Sequence, residues 1–147
     1  MENQRTLKST AVYNGIALHT GVRATLRINP AEANTGITFR RVDMPHQPSV
    51  QALASNVVDV RRGTTIANQT NGAVVYTVEH IMSALHVCGI DNAVVDMDGP
   101  EPPIADGSAL PYLEMVKEAG SVEQEVPARY WTATAPIHFE NKVTKMI

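Results

Sequence analysis

Val22, Ala24, Leu26 and Ile28 alternate with Arg23, Thr25, Arg27 and Asn29, the period-two pattern of a strand with one buried face. Pro30 ends that run, Asn34-Thr35-Gly36 turns the chain, and residues 37–42 predict a further strand with Ile37 and Phe39 inward. Upstream, residues 6–18 are rich in Thr, Val, Tyr and Ile, and Asn14-Gly15 predicts a turn or bulge between two extended pieces. Two prolines make residues 44–48 an irregular connection, and residues 50–60 suit short strands. Residues 64–67 and 74–76 then flank Gln69-Thr70-Asn71-Gly72, where Asn-Gly marks a hairpin turn.

At residue 78 the period changes. Val78, Ile81, Met82 and Leu85 have the spacing of one buried helix face, Thr77 is placed to cap its start, and Gly89 is placed to stop it. Residues 90–97 predict a strand, and residues 98–108 are too rich in Pro and Gly for regular structure. Ser108 is placed to cap a second helix with Pro111 in its first turn, Leu110, Leu113 and Val116 inward, and Gly120 at its end. The acidic Glu123-Gln124-Glu125 and Pro127 predict a linker, and residues 130–147 a strand or two. In Lys142-Val143-Thr144-Lys145-Met146-Ile147 the alternation is strand-like with no terminating signal. The expected organisation is one domain over residues 1–126, then a linker and the first strands of a second domain over 127–147. Its fold class is α+β: two helices layered on a mostly antiparallel sheet.

Composition narrows the function classes. A chain of 147 residues, 44% apolar and 18% charged, can bury about 70% of the surface its unfolded form exposes. No apolar run approaches the roughly 20 residues of a membrane span, and a net charge of −3 supplies no basic field for nucleic acid. Arg40-Arg41 and Arg61-Arg62 are the local exceptions, expected to be solvated. With Cys88 the sole cysteine, neither an intrachain disulfide nor a cysteine-based zinc cluster is available. The N-terminus lacks the apolar core of a secretory signal, so the cytoplasm is the expected location.

The predicted first helix carries the candidate chemistry. Glu79 and His80 stand in its first turn, where the helix dipole favours an ionised carboxylate and a neutral imidazole. Those are the forms needed by a proton acceptor and by a metal ligand. The dipole alone also favours acids in first turns, so the pair by itself does not define a site. An HExxH reading fails because Ala84 stands four residues after His80, and the other candidates, His19, His46 and His138, are remote in sequence. No G-x-S-x-G elbow supports a serine nucleophile, and Cys88 sits at a helix C-terminus, which disfavours a thiolate.

The surrounding motifs supply what the pair lacks. Thr77-Val78-Glu79-His80, then Gly89-Ile90-Asp91-Asn92, then Gly99-Pro100-Glu101-Pro102-Pro103-Ile104-Ala105-Asp106-Gly107-Ser108 resemble the zinc-dependent UDP-3-O-acyl-N-acetylglucosamine deacetylases of lipid A synthesis. Gln4-Arg5-Thr6-Leu7, Gly15-Ile16-Ala17-Leu18-His19-Thr20-Gly21 and Ala33-Asn34-Thr35-Gly36-Ile37 match in the same order, so the likeness covers roughly residues 4 to 120. Arg62-Gly63-Thr64-Thr65 is similar to the form fused to a 3-hydroxyacyl-acyl-carrier-protein dehydratase.

The resemblance implies two similar domains enclosing Zn2+ and a passage for the acyl chain, with this chain as the first. It implies Glu79 as general base and His80 as a zinc ligand. The other two ligands, a His and an Asp one helical turn apart, and a further catalytic His would come from the second domain. Leu18, His19 and Thr20 match a loop near the active site and are candidates for substrate binding, with a plain turn as the alternative. Asp106, Gly107 and Ser108 are expected to shape a loop. The substrate implied is UDP-3-O-acyl-N-acetylglucosamine, and the fragment alone is expected to be inactive with an incomplete zinc site. A different class of function remains open: a stand-alone binding or scaffolding domain that kept the fold.

Overall fold

In the computed structural model, which describes residues 2–140, 143, 145 and 146, the alternating segments become strands and the 3.6-period segments become helices. The order is β1 (Asn3–Leu7), β2 (Ala11–Ile16), β3 (Arg23–Pro30), β4 (Ile37–Arg41), β5 (Ser49–Gln51), β6 (Val57–Asp59), β7 (Thr65–Asn68) and β8 (Ala73–Val75). Then come α1 (Glu79–Val87), β9 (Ala93–Met97), α2 (Leu110–Ala119), β10 (Ser121–Pro127), β11 (Phe139–Glu140) and β12 (Lys145–Met146). The fold is α+β.

A five-stranded sheet runs in the order β2-β3-β9-β4-β5, antiparallel throughout except where β4 lies parallel to β9. The strands β6-β7-β8 form an antiparallel meander, and β7 and β8 close across the expected Gln69–Gly72 connection, with Gly72 at φ 79°. Alternation decides the buried face: Ala24, Leu26 and Ile28 of β3 and Ala93, Val95 and Met97 of β9 point into the core. Phe39, Val50, Ile66 and Val75 join them, and Val78, Ile81, Ala84 and Leu85 at α1 and Tyr112 and Val116 of α2 complete one contiguous cluster. At roughly 1.5–3 kcal/mol per fully buried large apolar side chain, this cluster is the main stabilising element.

Several sequence expectations are corrected by contacts distant in the chain. Asn14-Gly15 makes no turn; β2 runs straight through it, and the chain breaks instead at residues 8–10. Gly15 is required there because a Cβ would lie 2.8 Å from the Cβ of Pro103. Val22 falls before β3 and is exposed, as is Leu110, and Tyr112 takes the inward place on α2. Arg41 is buried rather than solvated, forked onto Asp43 at 2.7 and 2.8 Å and donating to the Val74 carbonyl.

The acidic 123–125 stretch is not a free linker. It belongs to β10, which pairs antiparallel with β1 and so ties the two ends of the fold together. Asn92, at the entry to β9, is buried and locks that pair to the sheet. Its amide donates to Gln4 and Gln124 at 2.8 Å each, and its Oδ1 accepts from the Gly36 N–H at 2.8 Å. Further on, β11 pairs with β12. Of the expected final strand, Lys142, Thr144 and Ile147 lie outside the described residues. Among the described residues no helix is long and apolar enough to cross a membrane.

Candidate active site

The β8 strand delivers the chain to α1 through a constrained junction. The Tyr76 N–H donates to the Pro100 carbonyl at 2.8 Å, and Thr77 is held at φ 54°, a left-handed conformation unusual for a β-branched residue. Thr77 is not the helix cap. The cap position is Val78, in helical conformation and without side-chain capping, while the Thr77 hydroxyl donates to Glu101 Oε1 at 2.9 Å. The charge-assisted bond to the buried carboxylate directs the hydroxyl away from the helix amides.

Glu79 and His80 then occupy the first turn of α1. The Glu79 carboxylate is oriented by the Thr64 N–H, which donates to Oε2 at 2.9 Å. Its other oxygen lies 3.5 Å from where a Cβ on Gly63 would sit, an ordinary contact distance, which places the carboxylate behind Gly63. His80 is half-buried, and among the described residues nothing hydrogen-bonds its ring.

His80 faces the loop that holds Asp106. The Ser108 N–H and hydroxyl, donating to Asp106 Oδ1 at 2.9 and 2.8 Å, hold its carboxyl below the usual range, and His80 adds a smaller electrostatic contribution. Gly107 supplies the bend at φ 86°, and the Ser108 hydroxyl accepts from the Leu110 N–H at 3.1 Å, one residue ahead of the formal cap Ala109. These three residues thus form a self-satisfied turn at the mouth of α2.

The third component is the loop after β2. Ala17 bridges Pro103, the Gly21 N–H returns to the Ala17 carbonyl, and Leu18 is left exposed. His19 and Thr20 remain exposed, but their backbone amides and the His19 ring meet Glu101, whose side chain is fully buried. Glu101 accepts from the Thr20 N–H at 2.9 Å, the His19 N–H at 3.0 Å, His19 Nδ1 at 2.7 Å and the Thr77 hydroxyl. Burial pushes its pKa up, but the Thr20 amide, the His19 ring and amide and the Thr77 hydroxyl outweigh that and hold it below the ordinary value.

A cavity of about 250 Å³ lies here, lined among others by His19, Thr20, Arg62, Gly63, Tyr76 and Thr77. Residues from three separate stretches of sequence thus converge around Gly63. Leu18 does not line the cavity, and Asp106-Gly107-Ser108 approach through His80. Glu101 was given no role by sequence reasoning; its signals were its place in the 99–108 motif and an acid set among the prolines of residues 100–103. Among the described residues, no three of His, Cys, Asp or Glu come together to hold a metal ion. A larger space of about 580 Å³, lined by Asn92 and Trp131 among others, lies away from this chemistry.

Fold and site define an α+β domain that presents a carboxylate and a free imidazole side by side at a helix start. The family model described as LpxC, UDP-3-O-acyl N-acetylglycosamine deacetylase, matches residues 4–147, and the chain belongs to that family. A UDP-3-O-acyl-N-acetylglucosamine deacetylase of Geotalea uraniireducens is 46% identical over 137 residues, which are 93% of this chain and 44% of that protein. One of Citrifermentans bemidjiense is 48% identical over 134 residues, 91% of this chain and 43% of the other. A bifunctional LpxC/FabZ enzyme of Chlorobaculum tepidum is 42% identical over 139 residues, 95% of this chain and 29% of that protein. The chain spans less than half the length of these relatives.

Proposed function

We propose that this chain is the N-terminal part of a cytoplasmic, zinc-dependent deacetylase acting on UDP-3-O-acyl-N-acetylglucosamine, and that it supplies the general base Glu79 and one zinc ligand, His80. The observation that carries the reading is the first turn of α1. There a carboxylate fixed by the Thr64 amide stands next to an imidazole that, among the described residues, has no hydrogen-bond partner of its own. The ring suits His80 to a metal, and in this reading the remaining ligands come from the part of the family's longer proteins that this chain does not span. Zinc, when bound, supplies Lewis acidity at the amide carbonyl and lowers the pKa of water.

Glu79 removes a proton from the attacking water as its oxygen bonds to the acetamide carbon. As the C–N bond breaks, Glu79 returns that proton to the sugar nitrogen, which leaves as the amine, and the acetyl group, now carrying the water oxygen, leaves as acetic acid and ionises to acetate. The Thr64 N–H keeps the Glu79 carboxylate aimed throughout. His19 and Thr20 line the cavity at the substrate side, and Asp106, Gly107 and Ser108 brace the loop facing His80. In this reading residues 1–126 form the first domain, and residues 127–147 lead into the second.

The test compares two proteins in acetate release from UDP-3-O-acyl-N-acetylglucosamine. The complete protein should release acetate and lose that activity on chelation, with recovery on adding zinc. The 147-residue chain alone should release none and should lose zinc on dialysis. Activity with stoichiometric zinc in the short chain, or no acetate release by the complete protein, would contradict the proposal.

A further inference from the structure

Glu101 stands apart from the groups given roles above. It is the only carboxylate in the buried set of described residues, and a buried acid persists only when its oxygens are fully satisfied. The two oxygens divide the work. Oε2 accepts from two backbone amides, Thr20 N at 2.9 Å and His19 N at 3.0 Å. Oε1 accepts from two side chains, His19 Nδ1 at 2.7 Å and Thr77 Oγ1 at 2.9 Å, and shares the His19 N–H with Oε2 at a longer 3.2 Å.

An ionised carboxylate can only accept, so the short contact to Nδ1 requires the ring proton to be there. The Thr77 hydroxyl, 3.3 Å from Nδ1, gives its own proton to Glu101 and so offers Nδ1–H a second acceptor. In its neutral form, His19 is therefore the Nδ1–H tautomer, with its lone pair on Nε2. The Cε1 edge of the ring, adjacent to Nε2, lies 3.8 Å from the point where a Gly63 Cβ would sit, and Glu79 Oε1 lies 3.5 Å from the same point. The charged and titratable groups facing His19 are Glu101 from its loop, Glu79 across Gly63, and Asp59, Arg61 and Arg62 on the cavity wall, with Asp59 and Arg61 paired at 2.9 Å.

We propose that Glu101 is a positioning residue: it fixes His19 as the Nδ1–H tautomer with Nε2 presented to the cavity beside Glu79, and it clamps Thr77 in the left-handed turn that starts α1. Nε2 is then a hydrogen-bond acceptor for a donor group of the substrate. The assignment of the cavity to substrate rests on the deacetylase reading; the tautomer does not.

The experiment reads the tautomer directly, by long-range proton–nitrogen NMR on the full chain with nitrogen-15 histidine at alkaline pH. The unsubstituted chain should show Nδ1 protonated. In Glu101→Gln the backbone amides of His19 and Thr20 claim the amide oxygen, which turns the NH2 toward Nδ1 and converts that nitrogen to an acceptor. The proton should then move to Nε2, by the same logic that gives a wrong tautomer when a triad aspartate becomes asparagine. Glu101→Asp should retain Nδ1–H. An Nε2–H tautomer in the unsubstituted chain, or Nδ1–H retained in folded Glu101→Gln, overturns the proposal. Should Glu101→Gln fail to fold, the unsubstituted chain decides alone.

In the complete deacetylase, Glu101→Gln and His19→Ala should each lower kcat/KM by about tenfold, the upper value of one neutral hydrogen bond. The double variant should lose no more than either single one; additive losses overturn the positioning role. Loss of all acetate release by the unsubstituted enzyme would fail the deacetylase reading and leave the tautomer result to judge Glu101.

Discussion

Substituting Gly15 by alanine sets two effects of opposite sign against each other, and the structure decides between them. Gly15 sits within β2, paired with Ala24, in extended backbone where alanine is conformationally acceptable. On that ground alone the change would stabilise by roughly 0.4–1 kcal/mol through the unfolded chain. The new Cβ, however, would lie 2.8 Å from Pro103 Cβ and 3.4 Å from Tyr13 Cε1. Carbon atoms prefer about 3.5–4 Å, so something must move by the better part of an ångström.

Neither neighbour is free to give. Pro103 bridges Ala17 and its carbonyl accepts the buried Tyr112 hydroxyl, the Ile104 N–H is bonded to the Ile16 carbonyl at 2.9 Å, and the Tyr13 ring is packed on Tyr112 at 5.4 Å. Overpacking of this kind costs about 1–3 kcal/mol, so the net should be a destabilisation of about 1–2 kcal/mol. For a domain of this size that lowers Tm by about 3–8 °C. Gly21→Ala is the control: nothing lies within 4 Å, and its penalty comes only from φ 68°. Because Pro103 follows Glu101 by two residues, Gly15→Ala should also shift the amide signals of His19 and Thr20, and Gly21→Ala should leave those of Tyr112 unmoved. A Gly15→Ala chain melting at or above the parent would refute the reasoning.

Two further outcomes follow from buried polar groups. Glu101 is held below its ordinary carboxyl value of 4.5, so the unfolded chain binds its proton first; the carboxylate's contribution is complete above that value and is lost as pH falls through it toward the folded value. The urea midpoint should therefore decline on acidification, and more shallowly in Glu101→Gln; identical acid slopes would count against the assignment. Asn92→Ala strands the Gly36 N–H and the Gln124 side-chain oxygen and removes one of the two donors to Gln4 Oε1, which keeps the Asn34 N–H, and should cost about 2–4 kcal/mol in denaturant unfolding. A loss below about 0.5 kcal/mol would mean that β1 and β10 are held by other contacts.

What could be read from the sequence was what is local. The strand β3, the 69–72 connection and the buried face of α1 follow from periodicity over fewer than a dozen residues, and the structure shows them in place. Errors arose where a distant partner overrules a local signal. The Asn14-Gly15 dipeptide is a turn motif in isolation, yet Pro103, far along the chain, uses the missing Cβ as a packing slot. Residues 121–127 look like a polar linker because their partner β1 is at the other end of the chain. Thr77 has the chemistry of a helix cap and is diverted by Glu101. The Glu79-His80 pair was visible as a motif, but its oriented carboxylate depends on Thr64, and Glu101 sits in an irregular loop where no periodicity marks a buried acid.

The central claim is the division of labour in the first turn of α1. It is tested most directly by measuring zinc content and acetate release together in the complete enzyme carrying Glu79→Gln or His80→Ala. Glu79→Gln should keep its zinc and lose about 100-fold or more in kcat, the usual contribution of a positioned general base, whereas His80→Ala should lose zinc along with activity. A Glu79→Gln enzyme that turns over at the parental rate, or a His80→Ala enzyme that retains a full complement of zinc, would contradict the account.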